Sequence, residues 1–190
     1  VAVSKTRAVL RAAGGLLGLV LAAEAGAVAI DPSLSNIGFS LRTRWGQVLE
    51  GRFPRYEGEI EHLPDGRQQV RLRLSARDVE IVGNRTYTRL TRGDSFFDAD
   101  RYPTIEFVSA PYRAELLRDG GPMVGALSIR GVRRDETFRI DRATCAQPAR
   151  DCDVVAQGSV NRDDYGVDRW SFALARHVVF HLRVRTFAEE

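Results

Sequence analysis

Three histidines and two cysteines are the residues of this chain best suited to metal or nucleophilic chemistry. His177 and His181 stand four apart, and on a strand that spacing puts both rings on one face. Arg183 and Arg185 share the same parity, which marks that face as outward. A zinc site there needs a further ligand from a neighbouring strand, and His62 is the one imidazole left. Cys145 and Cys152 are separated by six residues, Ala146 to Asp151. A redox pair uses the tighter C-x-x-C spacing, and no histidine lies close enough in sequence to complete a metal knuckle. The spacing reads as one disulfide closing a hairpin tip, a link that stabilises by roughly 2–3 kcal/mol at most for so short a loop. The chain contains no G-x-S-x-G, H-E-x-x-H or phosphate-cradling P-loop. Carboxylates are scattered among arginines, so no glycosidase-type pair stands out. No catalytic residue and no metal ligand is assigned, and the pattern points to a protein that holds something rather than converts it.

The N-terminus bears on where that would happen. Lys5, Arg7 and Arg11 precede an apolar run from Ala12 to Ala23, and the small-x-small sequence Ala23-Glu24-Ala25-Gly26-Ala27-Val28-Ala29 follows. This is the layout of a secretory leader. A spanning helix needs roughly 20 apolar residues, whereas this run ends at Glu24. Residues 1–29 are therefore expected to be a signal peptide cut after Ala27 or Ala29, with export to the periplasm. Residues 30–190 are expected to form one domain. No cysteine near the cut provides for a lipid anchor. The whole chain carries a formal charge of +3, and setting aside three basic and one acidic leader residues leaves +1. A near-neutral domain gives no electrostatic case for a nucleic-acid partner. Arg42, Arg71, Arg73, Arg139, Arg183 and Arg185 alternate with apolar residues, as on a solvated sheet face.

That two-residue alternation is what recurs along the domain. Ile37, Phe39 and Leu41 alternate with polar or small neighbours, as do Val70, Leu72 and Leu74. The same pattern runs through Ile105 and Phe107, Leu127 and Ile129, and Phe138 and Ile140. Val154 to Val160 and Val178 to Val184 close the series, and one strand through Val48 to Ile60 brings the count to eight. Leu63-Pro64-Asp65-Gly66 and Asp119-Gly120-Gly121-Pro122 are reverse-turn signals. The interval Asn84 to Asp98 lacks alternation and reads as the one helix, starting near Asn84. The expectation is all-β with antiparallel strands, as a barrel or a sandwich. Alternation does not separate the two, nor a filled interior from a hollow one.

Three runs in fixed order add to this: Phe96-Phe97-Asp98-Ala99-Asp100-Arg101-Tyr102-Pro103, then Gly125-Ala126-Leu127-Ser128-Ile129-Arg130-Gly131-Val132, then Gly158-Ser159-Val160-Asn161-Arg162-Asp163-Asp164-Tyr165-Gly166. Together with Ile30-Asp31-Pro32 and Ser35-Asn36-Ile37-Gly38-Phe39-Ser40, the chain resembles the YceI-like family, exported proteins that bind polyisoprenoid or other long-chain amphipathic lipids. The resemblance implies an extended eight-stranded antiparallel lipocalin-like β-barrel with one short helix in mid-chain. It implies no cofactor beyond a bound isoprenoid or fatty-acyl lipid. Three places depart from the family pattern, one being Thr91-Arg92-Gly93-Asp94-Ser95, slightly longer than the usual run before the double phenylalanine. Thr86-Tyr87-Thr88-Arg89-Leu90 stands where many relatives have Arg-Asp-x-His-Leu. Asp168-Arg169-Trp170-Ser171-Phe172 replaces a small, glycine-rich approach to the last strand.

The inward parity of the strands then nominates a ligand wall. Phe39 and Leu41, Leu72 and Leu74, and Phe107 come from the first half of the domain. Leu127 and Ile129, Phe138 and Ile140, and Phe180 and Leu182 come from the second. Trp45, Trp170 and Phe172 are expected at the rim. The motif residues themselves, including Phe96, Phe97, Asn161 and Arg162, are read as fold determinants, with Asp163 or Asp164 pairing Arg162. A homodimer through an apolar mouth is a further expectation. Two other readings stay open: a filled barrel without ligand, and a secreted hydrolase using His177 and His181.

Overall fold

The alternating segments become strands of a single curled antiparallel sheet in a computed structural model of the protein, which describes residues 26–187. The expected leader core lies outside the described residues. The sheet has eleven strands: β1 (Ala27–Ala29), β2 (Asn36–Thr43), β3 (Val48–Arg52), β4 (Tyr56–His62), β5 (Gln68–Ser75), β6 (Glu80–Ile81), β7 (Thr104–Ser109), β8 (Gly121–Ile129), β9 (Val132–Ile140), β10 (Val154–Asn161) and β11 (Leu174–Val184). Their spatial order is β1-β4-β5-β7-β8-β9-β10-β11-β2-β3-β6. Two helices, α1 (Arg85–Arg92) and α2 (Glu115–Asp119), complete the regular structure with short 3-10 turns.

The fold is all-β and antiparallel, and it differs from the expected eight-stranded barrel with one helix. The single strand through Val48 to Ile60 is two strands, because Pro54 has no N–H for the ladder and breaks the run between Arg52 and Tyr56. The strands β1 and β6 are too short to show alternation, as is α2 to show helical periodicity. The sheet is a half-barrel whose edge strands, β1 and β6, do not pair with each other. One end is drawn together nonetheless: the Ile30 backbone bridges Thr186, just past β11, and the Asp31 N–H donates to the Arg185 carbonyl at 2.8 Å.

Local chemistry accounts for the joints. Asn84 caps α1, its side chain accepting from the Tyr87 N–H at 2.9 Å. The Thr88 hydroxyl accepts from the Ile81 N–H at 2.9 Å and so ties α1 to β6. The helix ends at Arg92, well short of Pro103. Arg130 and Gly131, both with positive φ (52° and 76°), make the two-residue turn from β8 to β9 that a right-twisted hairpin requires. The Asp119-to-Pro122 signal serves to end α2 rather than to join two strands. Cys145 and Cys152 are bonded to each other in the loop between β9 and β10. Within that loop Ala149 is buried, and its carbonyl accepts from the Thr186 N–H at 2.8 Å. The disulfide loop is thereby pinned over the end of the curl that β11 reaches last.

Outside, the arginines face solvent as their parity predicts. Arg73 pairs with Glu106 at 3.1 Å and Arg71 with Glu61 at 3.1 Å. Such exposed pairs add little stability. The core is instead a run of rings: Phe53, Phe39, Phe180, Phe138 and Phe107, with neighbouring centroids 5.0–6.4 Å apart. Three of these rings pack over glycines: Phe107 on Gly125, Phe39 on Gly51 and Phe138 on Gly158. A Cβ at Gly51 would collide with the Phe39 ring, and one at Gly158 would come within 2.6 Å of Phe138. Gly51→Ala is expected to cost about 1–3 kcal/mol by overpacking, read as a lower midpoint in urea unfolding with an unchanged slope.

Candidate functional site

Two apolar cavities share the interior of the curl. The larger, about 300 Å³, is walled by Phe39, Leu41, Ile129, Val160, Val178 and Phe180 among others. The smaller, about 70 Å³, is walled by Leu72, Leu74, Phe107, Leu127, Phe138 and neighbours. Phe180 faces both, so the ring cluster is the partition between them. At the far end of the smaller cavity stand Leu117 of α2 and Ala149 of the disulfide loop. The larger cavity meets solvent beside Trp45, Tyr87, Leu90, Trp170 and Phe172, all exposed. The larger cavity thus opens at an apolar mouth, while every residue lining the smaller one is buried or half-buried.

The fourteen nominated residues all line one cavity or the other. Phe39, Leu41, Trp45, Ile129, Trp170 and Phe172 belong to the larger one; Leu72, Leu74, Phe107, Leu127, Phe138, Ile140 and Leu182 belong to the smaller; Phe180 belongs to both. The expected single wall is thus divided in two. None of the fourteen is on α1, whose Tyr87, Leu90 and Thr91 stand at i, i+3 and i+4 and line the mouth. That helical spacing was the available signal. Phe96 and Phe97, read as packing residues alone, also face the larger cavity, with Phe97 6.3 Å from Phe39 between ring centroids.

Arg162 is the other residue whose role differs from the expectation. It is buried in the cavity wall, 4% exposed, and it does not pair with an aspartate. Its Nε donates to the Ala175 carbonyl at 3.0 Å, and its Nη1 donates to the carbonyls of Val167 and Arg169. The Ala175 carbonyl sits where the β11–β2 register shifts, between Leu174 and Val178. One guanidinium thus collects the backbone acceptors of the irregular segment that carries Trp170 and Phe172. Asp163 pairs with Arg176 instead, at 3.3 Å. Burial lowers the Arg162 pKa, against the pull of the Asp163 and Asp168 charges. Its Nη2 has no acceptor among the described residues.

Beside it, the Tyr165 hydroxyl donates to Glu136 Oε1 at 2.8 Å, and the ring lines the larger cavity. The histidines take no part. His177 and His181 are exposed on the outer face, with His181 Nε2 3.1 Å from Ser40 Oγ, and His62 contacts the Gly26 carbonyl. Among the described residues no three His, Cys, Asp or Glu side chains converge on a metal position.

Burial, and for Tyr165 also the Glu136 carboxylate, raises the phenol pKa of Tyr112 and Tyr165 well above the ordinary value. The folded state therefore favours the neutral phenols, while the unfolded chain ionises them near about pH 10. Stability from these groups is whole below that pH and is lost as pH climbs toward their folded-state values. Alkaline unfolding with absorbance detection of phenolate should show two late tyrosines that titrate with loss of structure. Tyr165→Phe should flatten part of that pH dependence.

Comparison with known proteins adds the wider context. A family model described as YceI-like domain matches residues 29–185. No curated protein matches the sequence. Among solved structures, BcnA of Burkholderia cenocepacia is similar with a TM-score of 0.66 at 18% identity, over 82% of this chain and 98% of that one. A polyisoprenoid binding domain from Saccharophagus degradans, implicated in plant cell wall breakdown, gives a TM-score of 0.64 at 13% identity, over 87% and 100%. The Campylobacter jejuni YceI protein gives 0.52 at 21%, over 73% and 85%. Identities this low speak for the fold alone. The family model covers nearly all the described residues, and the chain belongs to the YceI-like family.

Proposed function

We propose that this protein is an exported, non-enzymatic carrier that holds one long apolar or amphipathic chain, of the polyisoprenoid or fatty-acyl kind, inside the curled sheet. One observation carries the reading: an apolar-walled interior that opens among exposed aromatic residues and runs toward the disulfide loop. Membership of the YceI-like family and the likeness to a polyisoprenoid binding domain support it. The leader-like N-terminus and the disulfide are consistent with the periplasm, where thiols oxidise.

The driving force is burial. Each methylene moved out of water contributes about 0.8 kcal/mol, so a prenyl or acyl tail binds without a matching set of polar contacts. The larger cavity, at about 300 Å³, is at the lower end of the roughly 300–1,000 Å³ range of ligand pockets. A long tail needs the space behind Phe180 as well. Rotation of the Phe180 and Phe39 rings is the step that joins the two cavities and lets the tail run toward the disulfide loop.

The chain expressed in an exporting bacterium, extracted with solvent and analysed by mass spectrometry, should yield a prenyl or long-chain lipid near one per protein. A lipid-free preparation that also fails to take up a fluorescent prenyl probe would favour a filled barrel. The partition sets chain length. Phe180→Leu opens it while sparing the roughly 3–5 kcal/mol that truncation to alanine costs a core. It should tighten binding of longer probes by roughly fourfold for each added methylene that becomes buried. Phe180→Trp should leave short probes bound and reject long ones. Equal affinities across chain length in all three proteins would count against the joined-cavity account.

A further inference from the structure

Ten large apolar side chains are exposed among the described residues, and half of them (Trp45, Tyr87, Leu90, Trp170 and Phe172) ring the mouth of the larger cavity. Singly scattered apolar residues need no explanation, whereas a contiguous patch marks a contact surface. The patch is built from three separate segments. Trp45 tips the turn between β2 and β3, Tyr87 and Leu90 face out from α1, and Trp170 and Phe172 lead into β11. Trp45 is 78% exposed and Phe172 is 72% exposed. Trp170 stands beside Phe172, with ring centroids 5.7 Å apart, and keeps a positive φ of 65°, a conformation bulky residues avoid. The backbone is thus held in an unfavourable form that leaves an indole at the mouth.

The same three segments are basic. Arg44 precedes Trp45 and Arg169 precedes Trp170, while Arg85 and Arg89 stand on the face of α1 turned away from Tyr87 and Leu90; all four are exposed. Arg44 Nη2 donates to the Ser171 carbonyl and Arg169 Nη1 to the Ser95 hydroxyl, each at 3.3 Å, so these heads are gathered at the rim by neutral partners. Asp94 and Asp168 are the nearby carboxylates in sequence. Four arginines against these two carboxylates leave these segments with a net positive charge.

We infer that the rim is a docking surface for a lipid bilayer bearing anionic headgroups, with the aromatic rings seated at headgroup depth and the arginines on phosphates. Trp and Tyr favour that interface, guanidinium matches phosphate, and a basic apolar surface lies flat on anionic lipid. The placement has a consequence for transfer. With the mouth flush against the bilayer, an apolar tail passes between membrane and cavity without crossing water, where each exposed methylene costs about 0.8 kcal/mol. The inference rests on the carrier reading for its purpose, but its test is separate. Vesicle contact at the rim and lipid in the cavity are read by different signals.

The chain provides its own reporter, because Trp45 and Trp170 are its two tryptophans and both stand at the mouth. The full chain is mixed with vesicles of phosphatidylethanolamine and phosphatidylglycerol, and tryptophan emission is recorded with and without brominated lipid. The expected result is a blue shift and quenching that weaken at high salt and in vesicles lacking phosphatidylglycerol. Arg44→Gln with Arg169→Gln should weaken binding by roughly fivefold for each arginine. Phe172→Ser should weaken it by roughly tenfold or more. Both sets of substitutions are at exposed positions, and circular dichroism of each variant checks that the fold is kept. Sedimentation with vesicles while tryptophan emission stays unchanged would overturn the inference, since the apolar run at 12–23 would then be the part that binds. A tryptophan shift that follows protein concentration without lipid would also overturn it, assigning the rim to a second copy of the chain.

Discussion

The arrangement of five phenylalanine rings inside the curl is the constraint on which the rest depends. A sheet curled this tightly encloses a space that side chains either fill or leave open. Here the rings of Phe39, Phe180 and Phe138 cross the middle, and two of them, Phe39 and Phe138, pack over Gly51 and Gly158. Had those glycines been alanine, the rings would have to stand away from the sheet and toward the axis. The glycines therefore fix how thick the partition is and how much room is left on either side of it.

The two ends of the molecule are handled by different chemistry. At the disulfide end, a covalent link and the short helix α2 hold a loop over the smaller cavity, which Ala149 and Leu117 help to line. At the open end no covalent link is used. The irregular approach to β11 is held by Arg162, which gathers carbonyls from Val167, Arg169 and Ala175. Most buried polar groups are bonded, and one guanidinium satisfies three backbone carbonyls at once where three separate donors would fill the cavity. The result is a mouth whose aromatic residues are placed by buried hydrogen bonds yet remain exposed.

Much of this was legible in the sequence, and the exceptions share a cause. Alternation identified the long strands and the inward parity of Phe39, Leu72, Phe107 and Phe180, because a half-buried strand writes its burial into every second residue. The disulfide follows from two cysteines, their spacing and the leader-like N-terminus taken together. Closure of the strands into a barrel was carried by the family resemblance, and the structure has an open curl of eleven strands instead. The break at Pro54 is written in the sequence, since a proline has no N–H for the ladder. The strands β1 and β6 and the helix α2 are too short to carry a period. Arg162 was matched to an aspartate because sequence shows charge, whereas its partners are backbone carbonyls, which leave no mark in residue identity. The division of the interior was hidden for a related reason: the letter F does not tell how a ring is turned.

The central claim is that a long apolar chain enters at the aromatic rim and lies along the interior, past Phe180. Crystals grown with a long-chain alcohol carrying bromine at its far end test it most directly, since anomalous scattering locates that atom without interpretation. The account predicts a single bromine peak in the region lined by Leu72, Phe107 and Met123, with the chain passing displaced Phe180 and Phe39 rings. A bromine confined to the outer surface or absent, with the rings unmoved and both cavities empty, would contradict it.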